Sequence, residues 1–320
     1  MSEPTIAVLI PCFNESLTIE KVIRDFRAVL PACTVFVYDN NSTDGTVEVA
    51  RSAGAIVRRE SQQGKGNVVR RMFADVEADI FVLVDGDDTY DASSARELTD
   101  KLIRESLDMV SATRFDTSAA AYRAGHRFGN RVLTAFVAAI FGNRSTDMLS
   151  GYRVFSRRFV KSFPALTTGF EIETELTVHA LELRLPIAEV PCRYRERPAG
   201  SVSKLHTYSD GVRIARTIVA LIKEEKPLLF FGAIAAVLAT TSIVLGTPIV
   251  IQYYATGLVP RLPTAVLATG IMLVATLSAT CGVILDTVTR GRKELKRLRY
   301  LSIPIRYTTS SRNPCELSTS

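Results

Sequence analysis

Two long stretches without a charge constrain this chain more than any other feature of its sequence. Residues 228–251 and 263–285 hold 24 and 23 uncharged, mostly apolar residues. At about 1.5 Å per helical residue, each is long enough to cross a hydrocarbon core of about 30 Å. Both are read as transmembrane helices. Arg213, Arg216, Lys223 and Lys226 precede the first, six cations lie between Arg290 and Arg299 after the second, and the connecting loop has only Arg261. Positive residues favour the cytoplasmic side, so the pattern predicts a multi-pass hairpin of the inner, cytoplasmic membrane with both ends in the cytoplasm. The N-terminus lacks a basic stretch followed by an apolar core, so the domain ahead of the hairpin is expected to face the cytoplasm.

Charge also limits the partners. Residues 228–320 carry nine Lys or Arg against three acids, which is the whole net charge of +6. Residues 1–227 are balanced, so a nucleic-acid partner is not expected, whereas a basic segment beside a membrane helix suits an anionic lipid surface. Residues 208–227 read as an amphipathic interfacial helix leading into the first span. From Tyr300 the chain is polar, and residues 290–320 read as a basic juxtamembrane segment and flexible tail. The five cysteines, Cys12, Cys33, Cys192, Cys281 and Cys315, are odd in number and lack metal-ligand spacing, so they read as reduced structural thiols.

Ahead of the hairpin, short β-rich runs alternate with helical patterns. Ile6–Pro11, Thr34–Asp39, Ala55–Arg59, Asp79–Asp85 and Met109–Arg114 are near-continuous apolar runs of strand length, as strands buried on both faces should be. Between the first two, Ile19, Val22, Ile23, Phe26 and Leu30 recur at helical spacing, and Gly54 stands where the next helix should stop. The fold class is α/β, a mostly parallel sheet flanked by helices, occupying residues 1–207. Later, Asn130–Phe141 is a helix apolar nearly all round, too short to span, and either buried or against lipid.

Unusual polar residues gather just past the strand ends, where open α/β sheets bind ligands: Asn14 and Glu15, Asp39, Asp85 and Asp87, and Arg114. In DGDDTYD, Asp85–Asp91, an abruptly acidic turn follows a wholly apolar strand. Adjacent carboxylates repel and persist most readily around a cation, and oxygen ligands of this kind suit Mg²⁺ or Mn²⁺, which bridge phosphates. A bland helix-capping turn needs fewer acids. In DNNSTDGT, Asp39–Thr46, Asp44 and Gly45 make a turn and Thr43 or Asp44 caps a helix, but Asp39 ends a buried strand and needs a partner such as a nucleotide base. QGKGN, Gln63–Asn67, sets Lys65 at a helix start where a phosphate would be favoured. It lacks the Walker A spacing, and Val69 breaks a dinucleotide fingerprint.

Together PCFNE (Pro11–Glu15), DNNSTDGT, GKG and DGDD resemble family 2 glycosyltransferases of the GT-A fold. SATR at Ser111–Arg114, DMLSGYRVF at Asp147–Phe155, GFEIETEL at Gly169–Leu176 and YRERPAGSVSKL at Tyr194–Leu205 are similar to the dolichol-phosphate-mannose synthase and polyprenyl-phosphate glycosyltransferase branch. The resemblance covers about residues 5 to 215. It implies an inverting, metal-dependent transfer of a hexose from a nucleotide sugar to undecaprenyl or dolichyl phosphate. It also implies that Asp39 binds the base, Pro11, Asn14 and Glu15 shape the nucleotide pocket with Lys65, and Asp85 and Asp87 form the catalytic metal pair, Asp87 the more direct ligand. Some members carry Gln two positions after the second Asp; here Thr89 stands there, leaving the third protein ligand open.

An acceptor phosphate has a second pKa of about 6 and is already a nucleophile at neutral pH, but it needs cations to position it. Arg131, Arg153 and Lys204, beside Ser150 and Ser203, are the candidates, against the plain alternative of surface charge. Glu171, Glu173 and Glu175 lie near the family's usual base position without an assigned base. His126, His179 and His206 form no cluster and read as structural or solvent-facing. A processive polysaccharide synthase is excluded because its acceptor motif contains Trp and this chain has none. Transfer to a lipid hydroxyl, with Glu173 or Glu175 as base, and a non-catalytic membrane scaffold are the alternatives. The sugar, the nucleotide and a homo-oligomeric state are left open.

Overall fold

The computed structural model describes residues 3–116, 147–169, 171–195, 216, 219–220 and 222–305. Two compact units are present, Met1–Asp210 with Lys296–Ser320, and Gly211–Leu295. The expected helix Asn130–Phe141 and most of the expected interfacial helix 208–227 lie outside the described residues.

The first unit alternates strands and helices from its start: β1 Ile6–Cys12, α1 Ile19–Val29, β2 Thr34–Asp39, α2 Thr46–Ser52, β3 Ile56–Arg59, α3 Lys65–Asp75, β4 Ile80–Leu83 and α4 Ser94–Arg104. It continues with β5 Met109–Asp116, β6 Arg153–Ser156, α5 Arg157–Ser162, α6 Ile172–Glu182 and β7 Ile187–Tyr194. The sheet order is β3-β2-β1-β4-β6-β5-β7, with only β6 antiparallel to its neighbours. From β1 the chain runs outward through β2 and β3, then returns to place β4 on the other side. The crevice between the carboxyl ends of β1 and β4 is therefore the topological switch point.

Both faces of the sheet are covered, which is why the strands read as unbroken apolar runs. Val8 and Ile10 face a layer made by α1, α2 and α4, with Ile23, Phe26, Ala50 and Leu98. Ala7 and Leu9 face the opposite layer, α3, α5 and α6, with Met72, Phe159 and Leu176. Phe26 meets Tyr152 edge to face at 5.7 Å and is 1% exposed. Truncating such a ring to Ala costs about 3 to 5 kcal/mol. Gly54 ends α2 with φ +87°, a conformation that suits glycine.

The second unit contains α7 Pro227–Thr256 and most of α8 Leu262–Leu301, with mean hydropathies of 2.4 and 1.9 in their most apolar windows. Proline opens α7 at its first turn, where the missing N–H costs nothing, and Gly257 closes it at φ +70°. The buried positions repeat every seven residues: Ala235, Ser242 and Ile249 on one helix, Ala268, Ala275, Gly282 and Thr289 on the other. Mostly small residues along the seam let the backbones approach, and side chains bond across it: Ser242 Oγ donates to Ala268 O at 2.7 Å and Ser278 Oγ to Phe231 O at 3.0 Å.

The start of the expected tail at Tyr300 differs from the structure. The basic segment from residue 290 is helical, because α8 continues unbroken to Leu301. Tyr300 is half-buried and Ile303 buried, so their polar surroundings in the sequence hide an anchored stretch.

Candidate active site

Two loops converge at the carboxyl ends of β1 and β2. The Asn14 N–H donates to Ser42 Oγ at 2.9 Å, and Asn14 Oδ1 accepts from the Thr43 N–H at 2.8 Å. The Glu15 N–H donates to Thr46 Oγ1 at 2.9 Å. Asn14, at φ +53°, is thus a stitch between the loops, a conformation asparagine tolerates better than most residues. Pro11 lies in β1 opposite Tyr38, and Glu15 is buried. Asp39 ends β2 at 2% exposure and accepts from the Ser42 N–H at 3.1 Å. Asp39, Ser42, Thr46, Arg51 and Arg59 help line a cavity of about 300 Å³.

The acidic turn after β4 divides its labour. Asp91 accepts from the Ser93 N–H at 3.0 Å at the entrance to α4, and Asp88 pairs outward with Lys21 at 2.6 Å. Helix capping therefore explains Asp91 but leaves Asp85 and Asp87. Asp87, 4% exposed, accepts from Thr89 Oγ1 at 2.6 Å. Asp85 pairs with Lys65 Nζ at 2.5 Å, and the same ammonium meets Glu173 Oε1, from α6, at 2.6 Å. Burial opposes the charge on Lys65, but the fields of Asp85 and Glu173 and their hydrogen bonds outweigh it and raise its pKa above the ordinary lysine value. Gly151 explains the close approach: a Cβ there would overlap the Asp85 carboxylate.

Lys65 was expected beside a phosphate at a helix start. It begins α3, but the Gly64 N–H donates to Asn40 Oδ1 at 2.7 Å and the Gly66 N–H to Thr168 O at 3.0 Å. The glycines of QGKGN are accounted for by packing, since a Cβ at either would strike the backbone of residues 167–168.

Ser150 and Arg153, expected at an acceptor phosphate, are internal. Ser150 is 0% exposed and donates to Ala112 O at 2.5 Å. Arg153 is 1% exposed and spends its donors on Ser150 O, Met148 O and Thr177 Oγ1 at 2.9, 2.7 and 2.8 Å. Burial pulls its pKa below the ordinary arginine value against the opposing fields of Glu173 and Asp147. A cation opening an apolar strand looks available to a phosphate until its carbonyl and hydroxyl partners are seen. Arg131, Ser203 and Lys204 lie outside the described residues.

Three further residues belong to this arrangement, and neither Arg114 nor Asp147 carried an assigned role. Glu173 entered only as a candidate base for a lipid hydroxyl acceptor; it is 7% exposed, and among the described residues its Oε2 is sealed from solvent without a hydrogen-bond partner. Arg114 forms a bidentate pair with Asp147, 2.7 Å at each contact, beside the Tyr194 ring. Although burial pushes the Asp147 carboxyl up, the Arg114 hydrogen bonds and charge hold it below its ordinary value. Only the burial of Glu and Asp near an acidic strand end could have flagged them, and burial is not written in the sequence.

Among the described residues no three His, Cys, Asp or Glu side chains converge as a cage for a metal. The donor set nonetheless suits a hard cation shared with a ligand. Asp85 and Asp87 offer carboxylate oxygens, the unpartnered Glu173 oxygen adds negative field nearby, and diphosphate oxygens and water would complete the coordination.

The chain is similar to several known proteins. The family model described as Glycosyl transferase family 2 matches residues 7–163. Glycosyltransferase AglJ of Haloferax volcanii is 37% identical over 250 residues, covering 78% of this chain and 81% of that protein. A dolichyl-phosphate hexose transferase of the same organism is 29% identical over 221 residues, 69% of this chain and 95% of that one. Glucosyl-3-phosphoglycerate synthase of Mycobacterium tuberculosis, solved with Mn²⁺ and UDP-glucose, superposes with a TM-score of 0.55 at 25% identity, covering 69% of this chain and 78% of that one.

Proposed function

The chain belongs to glycosyl transferase family 2, and on that premise we propose that it transfers a hexose, with inversion, from a nucleoside diphosphate sugar to a polyprenyl phosphate at the cytoplasmic face of a membrane. The observation that carries the reading is the carboxylate pair Asp85 and Asp87 at the switch point, with the buried Lys65 bridging Asp85 to Glu173.

Each residue then has a task. Asp39 accepts N–H donors of the base at the mouth of the cavity beside β2. Asp85 and Asp87 would hold Mg²⁺ or Mn²⁺, which would offset the charge of the departing diphosphate. Lys65 keeps a positive charge beside Asp85 and so limits carboxylate repulsion in the unliganded site. The acceptor phosphate oxygen attacks the anomeric carbon as the bond from that carbon to the diphosphate oxygen breaks, and the nucleoside diphosphate leaves with the electron pair. A phosphate dianion has no proton to give up, so Glu173 is not needed as a base. The acceptor class is supported by the dolichyl-phosphate hexose transferase among the relatives. Two apolar helices supply the membrane attachment a lipid acceptor requires.

One observation favours a second reading. Glu173 Oε2 is buried without a partner, and a free carboxylate oxygen beside the site is what a lipid hydroxyl acceptor would require. Transfer of radiolabelled sugar to undecaprenyl phosphate and to undecaprenol separates the two. The proposal expects the phosphate to be used, the alcohol not, and Glu173→Gln to cost less than the 100-fold or so lost with a general base. Preference for the alcohol together with collapse of the Glu173→Gln variant would establish the hydroxyl reading instead.

A further inference from the structure

The far end of α8 is built into the first unit. Lys296 Nζ lies 2.7 Å from Glu182 Oε2, and the Glu182 side chain is 0% exposed. The Tyr300 hydroxyl donates to Asp108 Oδ2 at 2.6 Å, and the Arg158 guanidinium stacks 4.2 Å from the Tyr300 ring centre. Tyr300 packs against the apolar layer beneath α3, α5 and α6, and Ile303 is 6% exposed. An exposed ion pair contributes little, whereas removing the partner of a buried carboxylate leaves an uncompensated charge. Lys296 is that partner for Glu182.

These anchors hold the opposite ends of elements that form the site. Helix α6 carries Glu173, the partner of Lys65, in its first turn and Glu182, the partner of Lys296, at its last residue. Its 11 residues make a rod of about 16 Å. Asp108 immediately precedes β5, whose other end carries Arg114 in its pair with Asp147.

We propose that residues 296–303 are an internal strap that sets the position of α6 and, through Glu173 and Lys65, of the Asp85 carboxylate. Lys296 and Tyr300 are positioning residues, and residues 1–207 alone are an incomplete catalytic unit. A side chain beyond the second span thereby joins a chain of contacts, Lys296 to Glu182, Glu173 to Lys65 to Asp85, that ends at the acidic turn.

The test uses the full-length protein in detergent micelles, comparing Lys296→Gln, Lys296→Arg, Tyr300→Phe and the paired Glu182→Gln/Lys296→Gln, which leaves no buried charge unpaired. Amide hydrogen exchange is followed for residues 172–182 and, as an internal reference, for β1. In Lys296→Gln the α6 amides exchange about tenfold faster while β1 keeps its protection. In the same variant kcat falls about tenfold with little change in the KM for lipid acceptor, and Lys296→Arg restores both. The paired variant keeps the fold and also loosens α6. Unchanged α6 protection in Lys296→Gln and in the paired variant overturns the proposal, as does equal loosening of α6 and β1, which marks a merely global stabiliser. The proposal rests on the transferase reading for its kinetic arm only. Exchange requires no turnover, so a failure of the transfer reaction and a failure of the strap are told apart.

Discussion

Asp85 and Asp87 stand two residues apart and are held in different ways. Asp85 is balanced by an ammonium, while Asp87 is fixed by a neutral hydroxyl from Thr89, itself 1% exposed. The Thr89 hydroxyl orients the Asp87 carboxylate at the strand end, where a ligand of an open α/β sheet sits. Asp87→Asn is therefore expected to abolish transfer while leaving the melting temperature near that of the wild type; activity near wild type at saturating Mn²⁺ would remove Asp87 from the site. The Thr89 hydroxyl is turned to Asp87. Thr89→Val keeps the volume and deletes one hydrogen bond to a charged group, worth about 1.5 to 3 kcal/mol. Mn²⁺ affinity, read by electron paramagnetic resonance titration, is expected to fall by at least about tenfold with the melting temperature preserved. Unaltered affinity would show that Asp87 is held without Thr89.

At the scale of elements, α6 links the site, the core and the strap. Its His179 lies edge-on to Phe159 and Phe163, 5.3 Å from each ring centre. Burial first, and then the charge of Lys296, pull its pKa down to about 3. The folded state thus keeps a neutral imidazole while the unfolded chain protonates near pH 6.5. Above that pH the group has no effect on stability. As pH falls from 6.5 toward 3 the unfolded state binds a proton that the folded state refuses, and stability drops by up to about 1.4 kcal/mol per pH unit. Urea unfolding midpoints are expected to decline between pH 6.5 and 5 in the wild type and less steeply in His179→Leu. Parallel slopes would show that the imidazole protonates in place.

The same elements show what sequence can and cannot encode. Strands β1, β2 and β4 were legible because burial on both faces leaves an apolar run, and Gly54 was legible because it stops a helix. Strand β6 was not, since it opens with Arg153, a cation neutralised by internal acceptors that no local pattern reveals. In the site, Asp85, Asp87 and Asp39 announced themselves as acids ending apolar strands. The Lys65 to Glu173 pair joins residues 108 apart, and Tyr300 to Asp108 joins residues 192 apart. Such contacts depend on topology rather than on spacing, so only their endpoints were visible, and Tyr300 looked like the start of a tail.

At the scale of the whole molecule, the chain separates its charge from its chemistry. Residues 1–227 are balanced, and the excess of six positive charges lies from residue 228 onward, mostly after the second apolar helix. Only 11% and 17% of the most apolar windows of α7 and α8 are buried within the protein, leaving their outer surfaces suited to lipid. With one cation in the connecting loop and six just after α8, the loop is the end that crosses most readily. Leu258, 68% exposed in that loop, and Glu294, beyond the apolar stretch, provide positions to test it. A membrane-impermeant maleimide applied to intact cells is expected to label Leu258→Cys, and to label Glu294→Cys only after permeabilisation. The native thiols set the background, which a Cys33→Ser, Cys315→Ser parent lowers: Cys12 and Cys192 are buried, Cys33 is partly exposed, and Cys281 lies within the second apolar stretch. Labelling of Glu294→Cys from outside, with Leu258→Cys protected, would invert the hairpin. It would also place the nucleotide site on the wrong side of the membrane for a cytoplasmic sugar donor.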